Sequence, residues 1–313
     1  MNIPTVNQLF DAGVHFGHQL KRWHPSMEKY IYTAKKGIHI INLEKTQQNL
    51  KESSDYAFDI AKSGGKVIFV GTKKQSKEII KNEATRCGAF YVTERWLGGT
   101  MTNLEVIKKS IKKLVEYKKN KELGELEKYT KKERLLIDRE IDKLEKKVGG
   151  LVGMNTVPNA IFVVDPKREK TAIKEAKSLG IKVIALIDTN SDVREIDYPI
   201  PGNDDAIKSV ALIVKTIADS LESGYQEYSK ELSAKKEEKG ILTKNSTQKD
   251  KKTEDVKKEK PKAENKDNEN TSSSDKKSSV DKNTKVKEDN KVSKKDTDNK
   301  VTKVKKVDKK STK

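Results

Sequence analysis

Short runs of consecutive apolar residues, each followed by a helical pattern, constrain the fold of this chain most. The runs are Val67–Val70, Ala160–Val164 and residues 183–187. A continuous apolar run of this length is typical of a strand that is buried on both faces of a parallel sheet. Because strands that alternate with helices form parallel layers, the sequence predicts an α/β fold with a doubly wound parallel sheet.

The turn after the first of these strands carries a helix-start signal. Gly71 breaks the apolar run, and Thr72 followed by Gln75 has the spacing of a capping box. A helix is therefore expected to begin at Lys73. The unpaired N–H groups and positive dipole at such a terminus attract anions, and Lys73 and Lys74 add positive charge. We expect this turn to bind a phosphate.

Similar signals follow the later strands. Asp165 followed by Pro166 predicts a helix from Lys167, with Asp as the N-cap and Pro in the first helical position. Residues 198–202 predict an edge strand, where prolines are tolerated, and residues 203–205 predict the cap of a final helix. The loops at the carboxyl ends of parallel strands share one edge of the sheet. Here these loops are residues 71–74, 165–168, 188–192 and 202–205.

The net charge of the chain indicates which kinds of molecule it is able to bind. The formal charge of +19 favours a nucleic acid or an anionic membrane surface. The membrane is disfavoured, because no run approaches the roughly 20 apolar residues that span a bilayer. The N-terminus also lacks the charged-then-apolar order of a signal peptide. Together with the single cysteine, Cys87, this predicts a cytoplasmic protein.

Residues 103–148 have a different pattern from the segments around them. Apolar residues recur there at three- and four-residue spacing among many lysines, first at Leu104, Ile107 and Ile111. After a polar break the pattern resumes, which predicts an antiparallel helical hairpin, a short coiled-coil arm. This hairpin is inserted in an α/β core that comprises residues 1–102 and 149–228.

The C-terminal part of the chain has a composition of its own. Residues 229–240 are expected to be a helix end and linker. Residues 241–313 consist mostly of Lys, Asp, Glu, Asn, Ser and Thr. Such a segment buries too little apolar surface to offset the entropy of ordering, so it is predicted to be a disordered, lysine-rich tail.

Cations beside an aromatic ring mark the candidate nucleic-acid contacts. Lys21 and Arg22 precede Trp23, a combination that can bind phosphate and stack on a base. The alternative is that Trp23 fills the edge of the core while the two cations are solvated. For the lysines of the hairpin the alternative is a solvated charged face. The predicted RNA contacts are Lys21, Arg22, Trp23, Lys73, Lys74, Arg95, Lys108, Lys112, Lys167 and Arg168.

Metal binding and catalysis have weaker support. The carboxylates of Asp188, Asp192, Asp204 and Asp205 are candidate ligands for a structural Mg²⁺, although helix capping and Asx-turns explain the same residues. His15 and His18 are better explained as hydrogen-bonded structural histidines, because no ligand set surrounds them in sequence.

Neither GxxxxGK[ST] nor GxGxxG follows a strand, and no nucleophile has a base nearby in sequence. No catalytic residue or cofactor is predicted. The alternative function is a cytosolic α/β enzyme that binds a phosphorylated small molecule at residues 71–74.

Several strings resemble the bacterial small-subunit ribosomal protein S-two family over about residues 3–225. They are GVHFGH at 13–18, IHIINLEKT at 38–46, FVGTKKQ at 69–75, RWLGGTMTN at 95–103, FVVDP at 162–166, DTNSD at 188–192 and IPGNDDAI at 200–207.

The resemblance implies a Rossmann-like domain with an inserted helical hairpin and no enzymatic activity. It also implies a ribosome-bound structural protein that contacts small-subunit ribosomal RNA and neighbouring ribosomal proteins. One implied neighbour is the mRNA-binding ribosomal protein one, which the chain would help to dock. Neither DNA nor a membrane is expected as a partner.

Overall fold

Helices and strands alternate along the computed structural model, which describes the backbone of residues 3–254 and side chains as far as residue 233. In chain order the elements are α1 (Val6–Asp11), β1 (Phe16–Gln19), β2 (Ile31–Lys35), β3 (Ile38–Ile41), α2 (Leu43–Lys62), β4 (Val67–Val70), α3 (Lys74–Cys87), β5 (Phe90–Val92), α4 (Leu104–Glu122), α5 (Lys131–Val148), β6 (Ala160–Val164), α6 (Lys170–Ser178), β7 (Lys182–Ile187), β8 (Tyr198–Pro201) and α7 (Ile207–Glu254).

The central sheet has five parallel strands in the order β5-β4-β6-β7-β8. Every residue of β4 and β6 is buried, as their continuous apolar character predicts. Since β8 pairs on one side only, Pro199 and Pro201 lie in an edge strand, where a missing backbone donor is tolerated. The predicted α/β fold with a parallel sheet is confirmed.

Each face of this sheet is covered by its own apolar core. Successive residues of a strand point to opposite faces, so Ile68 and Phe69 enter different cores. Phe69 packs with Phe162 in the core that α2, α3 and α7 cover. Ile68 lies in the other core, together with residues of α6 and of the bases of α4 and α5. The central sheet is therefore packed on both faces, and the loops that connect its strands to the helices lie at its edges.

A second, antiparallel sheet in the order β1-β3-β2 precedes the central one. Two of its strands, β1 and β2, are not predicted by the sequence. Most residues of β1 and β2 are partly or fully exposed, so the strands lack the apolar alternation that marks a half-buried strand. This small sheet carries His18 and leads into the segment that contains Trp23.

The predicted capping box at the start of α3 is wrong. Lys73 is the N-cap, without a side-chain hydrogen bond, and the helix begins at Lys74. The Thr72 hydroxyl instead donates to the buried Glu169 carboxylate at 2.5 Å and accepts a hydrogen bond from Nε of Arg168 at 2.7 Å. Glu169 and Arg168, from another loop at the sheet edge, therefore replace the backbone N–H of α3 as partners of the Thr72 hydroxyl.

The predicted start of α6 is wrong by three residues. The helix begins at Lys170, not at Lys167, and Glu169 is its N-cap. Asp165 has φ +63°, a left-handed conformation that is uncommon outside Gly, Asn and Asp. Its carboxylate accepts the backbone N–H of Arg168 at 3.3 Å. This local hydrogen bond closes a turn. The helix therefore begins later in the chain than predicted, and Lys167 lies in the loop before it.

Two helices, α4 and α5, occupy the segment between the core parts. A short 3₁₀ turn at Glu125–Lys128 lies between them, and they pack against each other. Ile107, Ile111, Leu114 and Ile141 are buried along this helix pair. Ion pairs between the two helices join Lys113 to Glu140, Lys118 to Glu145 and Lys121 to Asp138.

The last helix, α7, extends through the predicted linker at 229–240 to Glu254. Of the tail predicted to be disordered at 241–313, residues 255–313 lie outside the described part of the chain. Among the described residues, no helix combines the length and the apolar character that crossing a membrane requires.

Candidate nucleic-acid interface

The small antiparallel sheet is joined to the carboxyl edge of the central sheet through Thr189. The backbone N–H of His18 donates to Oγ1 of this buried threonine at 2.9 Å, and the N–H of His24 donates to its carbonyl at 2.8 Å. Gly17 allows this approach, because a Cβ there would lie 2.6 Å from the Thr189 methyl carbon. The N-terminal segment is thereby held beside the loops that follow β6 and β7.

A groove of about 250 Å³ opens where these segments meet. Trp23 and Arg22 line it from the N-terminal segment, Lys167 from the loop before α6, and Lys170 from the first turn of that helix. Pro166 contributes an apolar wall. The fold therefore brings together three of the predicted RNA contacts, Arg22, Trp23 and Lys167, which come from distant parts of the sequence.

The indole of Trp23 does not fill the core. Its side chain is 38% exposed, and its ring lies 5.5 Å from the buried His39 ring, centroid to centroid, with the planes tilted. The ring is supported from within the protein and still accessible at the groove. Such an arrangement is able to stack on a planar ligand.

The cations around the groove are exposed and free of carboxylates. Among the described residues, Arg22, Lys167 and Lys170 have no hydrogen bond or ion pair to an acidic side chain. The predicted contacts Lys21, Lys74, Arg95 and Lys112 are exposed and unpaired in the same sense, and Lys108 is half-buried. Unpaired surface cations are the groups that neutralise phosphates at little cost.

Lys73 has a different environment from the other predicted contacts. Its ammonium lies 2.8 Å from Oδ1 of Asp204 and 2.5 Å from Oδ1 of Asp205. Burial alone lowers the pKa of Lys73, but hydrogen bonds to Asp204 and Asp205 outweigh it and raise the pKa overall. The positive charge is thus satisfied within the protein. This geometry gives no support to a small phosphorylated ligand at residues 71–74.

Asp204 is the most strongly perturbed carboxyl group at this edge. Its side chain is fully buried, and among the described residues its Oδ2 has no hydrogen-bond partner. Burial, followed by repulsion from Asp188 and Asp165, raises the pKa of Asp204 to about 7, although Lys73 opposes the shift. Burial beside other carboxylates therefore favours the protonated form of Asp204.

His18 connects the small sheet to the same acidic cluster. Its Nδ1 lies 3.0 Å from Oδ2 of Asp188, and its Nε2 lies 3.0 Å from Nδ2 of Asn190. The hydrogen bond that the imidazole donates to Asp188 raises the pKa of His18, while burial opposes the shift. Sequence reasoning placed His18 among structural histidines, and its partners come from a loop far along the chain.

The metal-ligand geometry differs from the predicted set of four aspartates. Potential ligand atoms of His18, Asp188 and Asp204 lie within 4.8 Å of one another. Asp192 is outside this group, since its two oxygens bind Arg194 at 3.0 and 2.7 Å, which lowers its pKa to about 2. One imidazole with two carboxylates suits zinc better than magnesium, which prefers oxygen ligands.

A carboxylate that the sequence did not single out organises the loop beside Arg95. Glu175 of α6 is buried and accepts the indole N–H of Trp96 at 3.1 Å. It also accepts the backbone N–H groups of Gly99 at 2.7 Å and Met101 at 3.0 Å. Neutral donors alone satisfy this carboxylate among the described residues. The loop that presents Arg95 and leads into α4 is therefore built around Glu175.

Comparison with known proteins agrees with this architecture. The protein-family model described as Ribosomal protein S2 matches residues 9–224. A curated relative, small ribosomal subunit protein uS2 of Geotalea uraniireducens (strain Rf4), is 49% identical over 226 residues. The match covers 72% of this chain and 88% of the relative. The residues matched by the family model include the sheet-edge loops and the helix pair. The chain therefore belongs to the ribosomal protein S2 family.

Proposed function

We propose that this protein positions ribosomal RNA at the carboxyl edge of its parallel sheet. Membership of the family makes the chain a structural constituent of the small ribosomal subunit, where ribosomal RNA and other ribosomal proteins are its expected partners. The observation that supports the proposal best is the groove in which Trp23 is flanked by Arg22, Lys167 and Lys170.

The mechanism is placement and not catalysis. Contacts to phosphates fix the register and orientation of a protein on RNA and are insensitive to sequence. The cations at the sheet edge supply such contacts, and the sheet that carries them is held between two apolar cores. A rigid support keeps the spacing of these charges constant, which gives the bound RNA a defined position.

The remaining predicted contacts stay proposals of unequal strength. Lys21, Lys74, Arg95 and Lys112 are supported by their exposure and by the absence of an acidic partner among the described side chains. Lys73 is less suited, because it already binds Asp204 and Asp205. Arg168 has one of its guanidinium donors occupied, because its Nε donates a hydrogen bond to the Thr72 hydroxyl.

The salt dependence of RNA binding tests the proposal. We expect the triple variant Arg22→Gln, Lys167→Gln, Lys170→Gln to bind a small-subunit ribosomal RNA fragment more weakly than the unmodified chain. The plot of log Kd against log salt should also be shallower, by about 0.7 to 0.9 for each phosphate that the variant no longer neutralises. Filter binding between 50 and 300 mM KCl gives both quantities.

Lys62→Gln provides the control for this experiment, because Lys62 forms an ion pair with Glu227 on the other side of the sheet. Its slope is expected to equal that of the unmodified chain. A triple variant with unchanged affinity and slope would remove the sheet-edge groove from the RNA interface.

We also propose that the mRNA-binding ribosomal protein one docks where helix α1 meets the small antiparallel sheet, at a shallow pocket lined by Phe10 and Tyr32. Phe10, Phe16 and Tyr32 are exposed there to 59%, 48% and 74%. Contiguous exposed apolar groups often mark protein interaction sites. In a pull-down with purified protein one, the double variant Phe10→Ser, Tyr32→Ser is expected to capture less than the unmodified chain, and equal capture would contradict the proposal.

A further inference from the structure

The size of the groove beside Trp23 limits what it can hold. At about 250 Å³ it is smaller than the roughly 300 to 1,000 Å³ of pockets that enclose a drug-sized ligand. Pro166 and the buried Ile173 form an apolar wall opposite polar groups. A slot of this kind fits one flat heteroaromatic ring and excludes a double helix.

The aromatic side of the groove is a fixed platform. Trp23 is supported by His39, which is 7% exposed. Among the described residues neither ring nitrogen of His39 has a hydrogen-bond partner, so the contact of its ring with the indole is one of packing. A rigid, half-exposed indole loses little freedom when a base stacks on it.

The groove is lined by both cations and carboxylates. Arg22, Lys167 and Lys170 are available to phosphates. Asp192 and Glu195 also line the groove, and Asp192 is held by Arg194. A phosphodiester backbone is attracted to cations and repelled by carboxylates, so the phosphates of a bound nucleotide are expected to contact Arg22, Lys167 and Lys170 and not Asp192 or Glu195.

The duplex form of RNA cannot satisfy both features. In an A-form helix the base faces are stacked inside, and proteins reach mainly phosphates, sugars and groove edges. Away from the ends of a helix, only a nucleotide in a loop, a bulge or a single strand exposes a base face while its phosphates remain accessible.

We infer that this groove holds one unpaired RNA nucleotide, with its base on Trp23 and its phosphates against Arg22, Lys167 and Lys170. This inference rests on the proposed RNA-binding function. It adds the class of ligand: a single-stranded or extruded nucleotide, and not a helical segment.

Intrinsic fluorescence gives a direct readout, because the chain has two tryptophans. Trp96 is 6% exposed and its indole N–H binds Glu175, so it is shielded from added RNA. We expect single-stranded hexa-adenylate to quench the emission of the full chain. A blunt RNA duplex with the same number of phosphates should quench it much less. In the variant Trp23→Leu, the hexa-adenylate quenching should disappear.

Affinity measurements separate stacking from charge. Trp23→Leu is expected to weaken hexa-adenylate binding by about 10- to 100-fold, the range for removal of one base–aromatic stack. Trp23→Tyr should recover most of this loss, while duplex affinity should stay constant in both variants. Fluorescence anisotropy of labelled RNA measures the affinities. Urea unfolding of each variant confirms that removal of the indole beside His39 has not unfolded the protein.

The outcomes distinguish this inference from the proposed function. If ribosomal RNA binds in a salt-dependent way but Trp23→Leu retains full affinity for hexa-adenylate, the nucleotide groove is refuted and the RNA-binding function stands. Equal quenching by duplex and single strand also refutes the groove. If the chain binds no RNA of either form, both proposals fail.

Discussion

The ammonium of Lys73 lies 2.8 Å from a carboxylate oxygen of Asp204, whose side chain is fully buried. This pair joins the N-terminus of α3 to the loop that precedes α7. A buried carboxylate requires compensation, since its charged form loses the stabilisation that water provides. Lys73 supplies part of that compensation, and a pKa of about 7 indicates that burial, together with repulsion from Asp188 and Asp165, outweighs it.

The substitution Asp204→Asn should alter the pH dependence of stability. The pKa of Asp204 is about 7 in the folded protein, against 3.8 for an unperturbed aspartate. The folded state therefore binds more protons between these values, and the contribution of Asp204 to stability declines as pH rises from about 4 to 7. That decline amounts to about 4 kcal/mol.

Because asparagine does not titrate, the variant should lack this decline. Urea unfolding at intervals between pH 4.5 and 8 gives the free energy of unfolding of both proteins. The stability of the variant is expected to increase relative to that of the unmodified protein as the pH rises. Two parallel curves would mean that Asp204 is not perturbed in the folded state.

The substitution His18→Gln should have the largest cost at low pH. Asp188 raises the pKa of His18, so the stabilisation is fully present below the unperturbed value of 6.5. It is lost as pH rises through the higher pKa of the folded protein. We expect a cost of about 1 to 3 kcal/mol at pH 5.5, as for a hydrogen bond to a charged group, and a smaller one at pH 8.5.

Equilibrium unfolding at the two pH values measures this difference. An NMR titration of the imidazole of His18 provides an independent check. A titration midpoint below 6.5 would contradict the predicted direction.

The substitution Glu175→Ala should destabilise the loop that leads into α4. It would leave the N–H groups of Trp96, Gly99 and Met101 without their acceptor in a buried site. Since each unsatisfied buried donor costs about 1 to 3 kcal/mol, we expect a total loss of at least about 3 kcal/mol. Urea unfolding gives the free energy, and hydrogen exchange at Met101 reports on the loop itself.

Lys174→Ala is the matched control for Glu175→Ala, because Lys174 is the preceding residue of the same helix and is exposed. It should change the free energy of unfolding by less than about 0.5 kcal/mol. Similar losses in the two variants would point to a general effect on α6.

The substitution Gly150→Ala should destabilise the contact between the end of α5 and strand β5. A methyl group at Gly150 would lie 2.2 Å from the carbonyl oxygen of Tyr91, so the backbone must move. We expect a loss of more than about 2 kcal/mol in the free energy of unfolding. Gly98→Ala is the control, because a methyl group there meets no atom within 4 Å. Equal stability of the two variants would show that the close approach at Gly150 is not maintained.

The buried strands β4 and β6 and the body of helix α2 were predictable because their signals are local. Val67–Val70 and Ala160–Val164 are apolar throughout, and both are buried on both faces of the sheet. Helix Leu43–Lys62 shows apolar residues at helical spacing, and its Asn42 cap accepts N–H groups of the first turn. In each case a single element contains the whole pattern.

Helix starts were less predictable where a distant partner was available. The Thr72 hydroxyl has the spacing to cap α3, but Glu169 and Arg168 bind it instead. A side chain forms the hydrogen bonds that give the folded protein the lowest free energy. A partner at capping-box spacing is only one of the partners available to it.

Sequence alone determined the parallel α/β layering, the family, and the cationic and aromatic residues that are candidates for RNA contact. Only the tertiary structure placed Trp23 beside Lys167, paired Lys73 with Asp204, linked His18 to Asp188 and turned Glu175 towards the loop after Trp96. The physical reason is that parallel strands end at one shared edge, so side chains far apart in the chain become neighbours. Contacts between residues so far apart in the chain leave no periodic or local signature in the sequence.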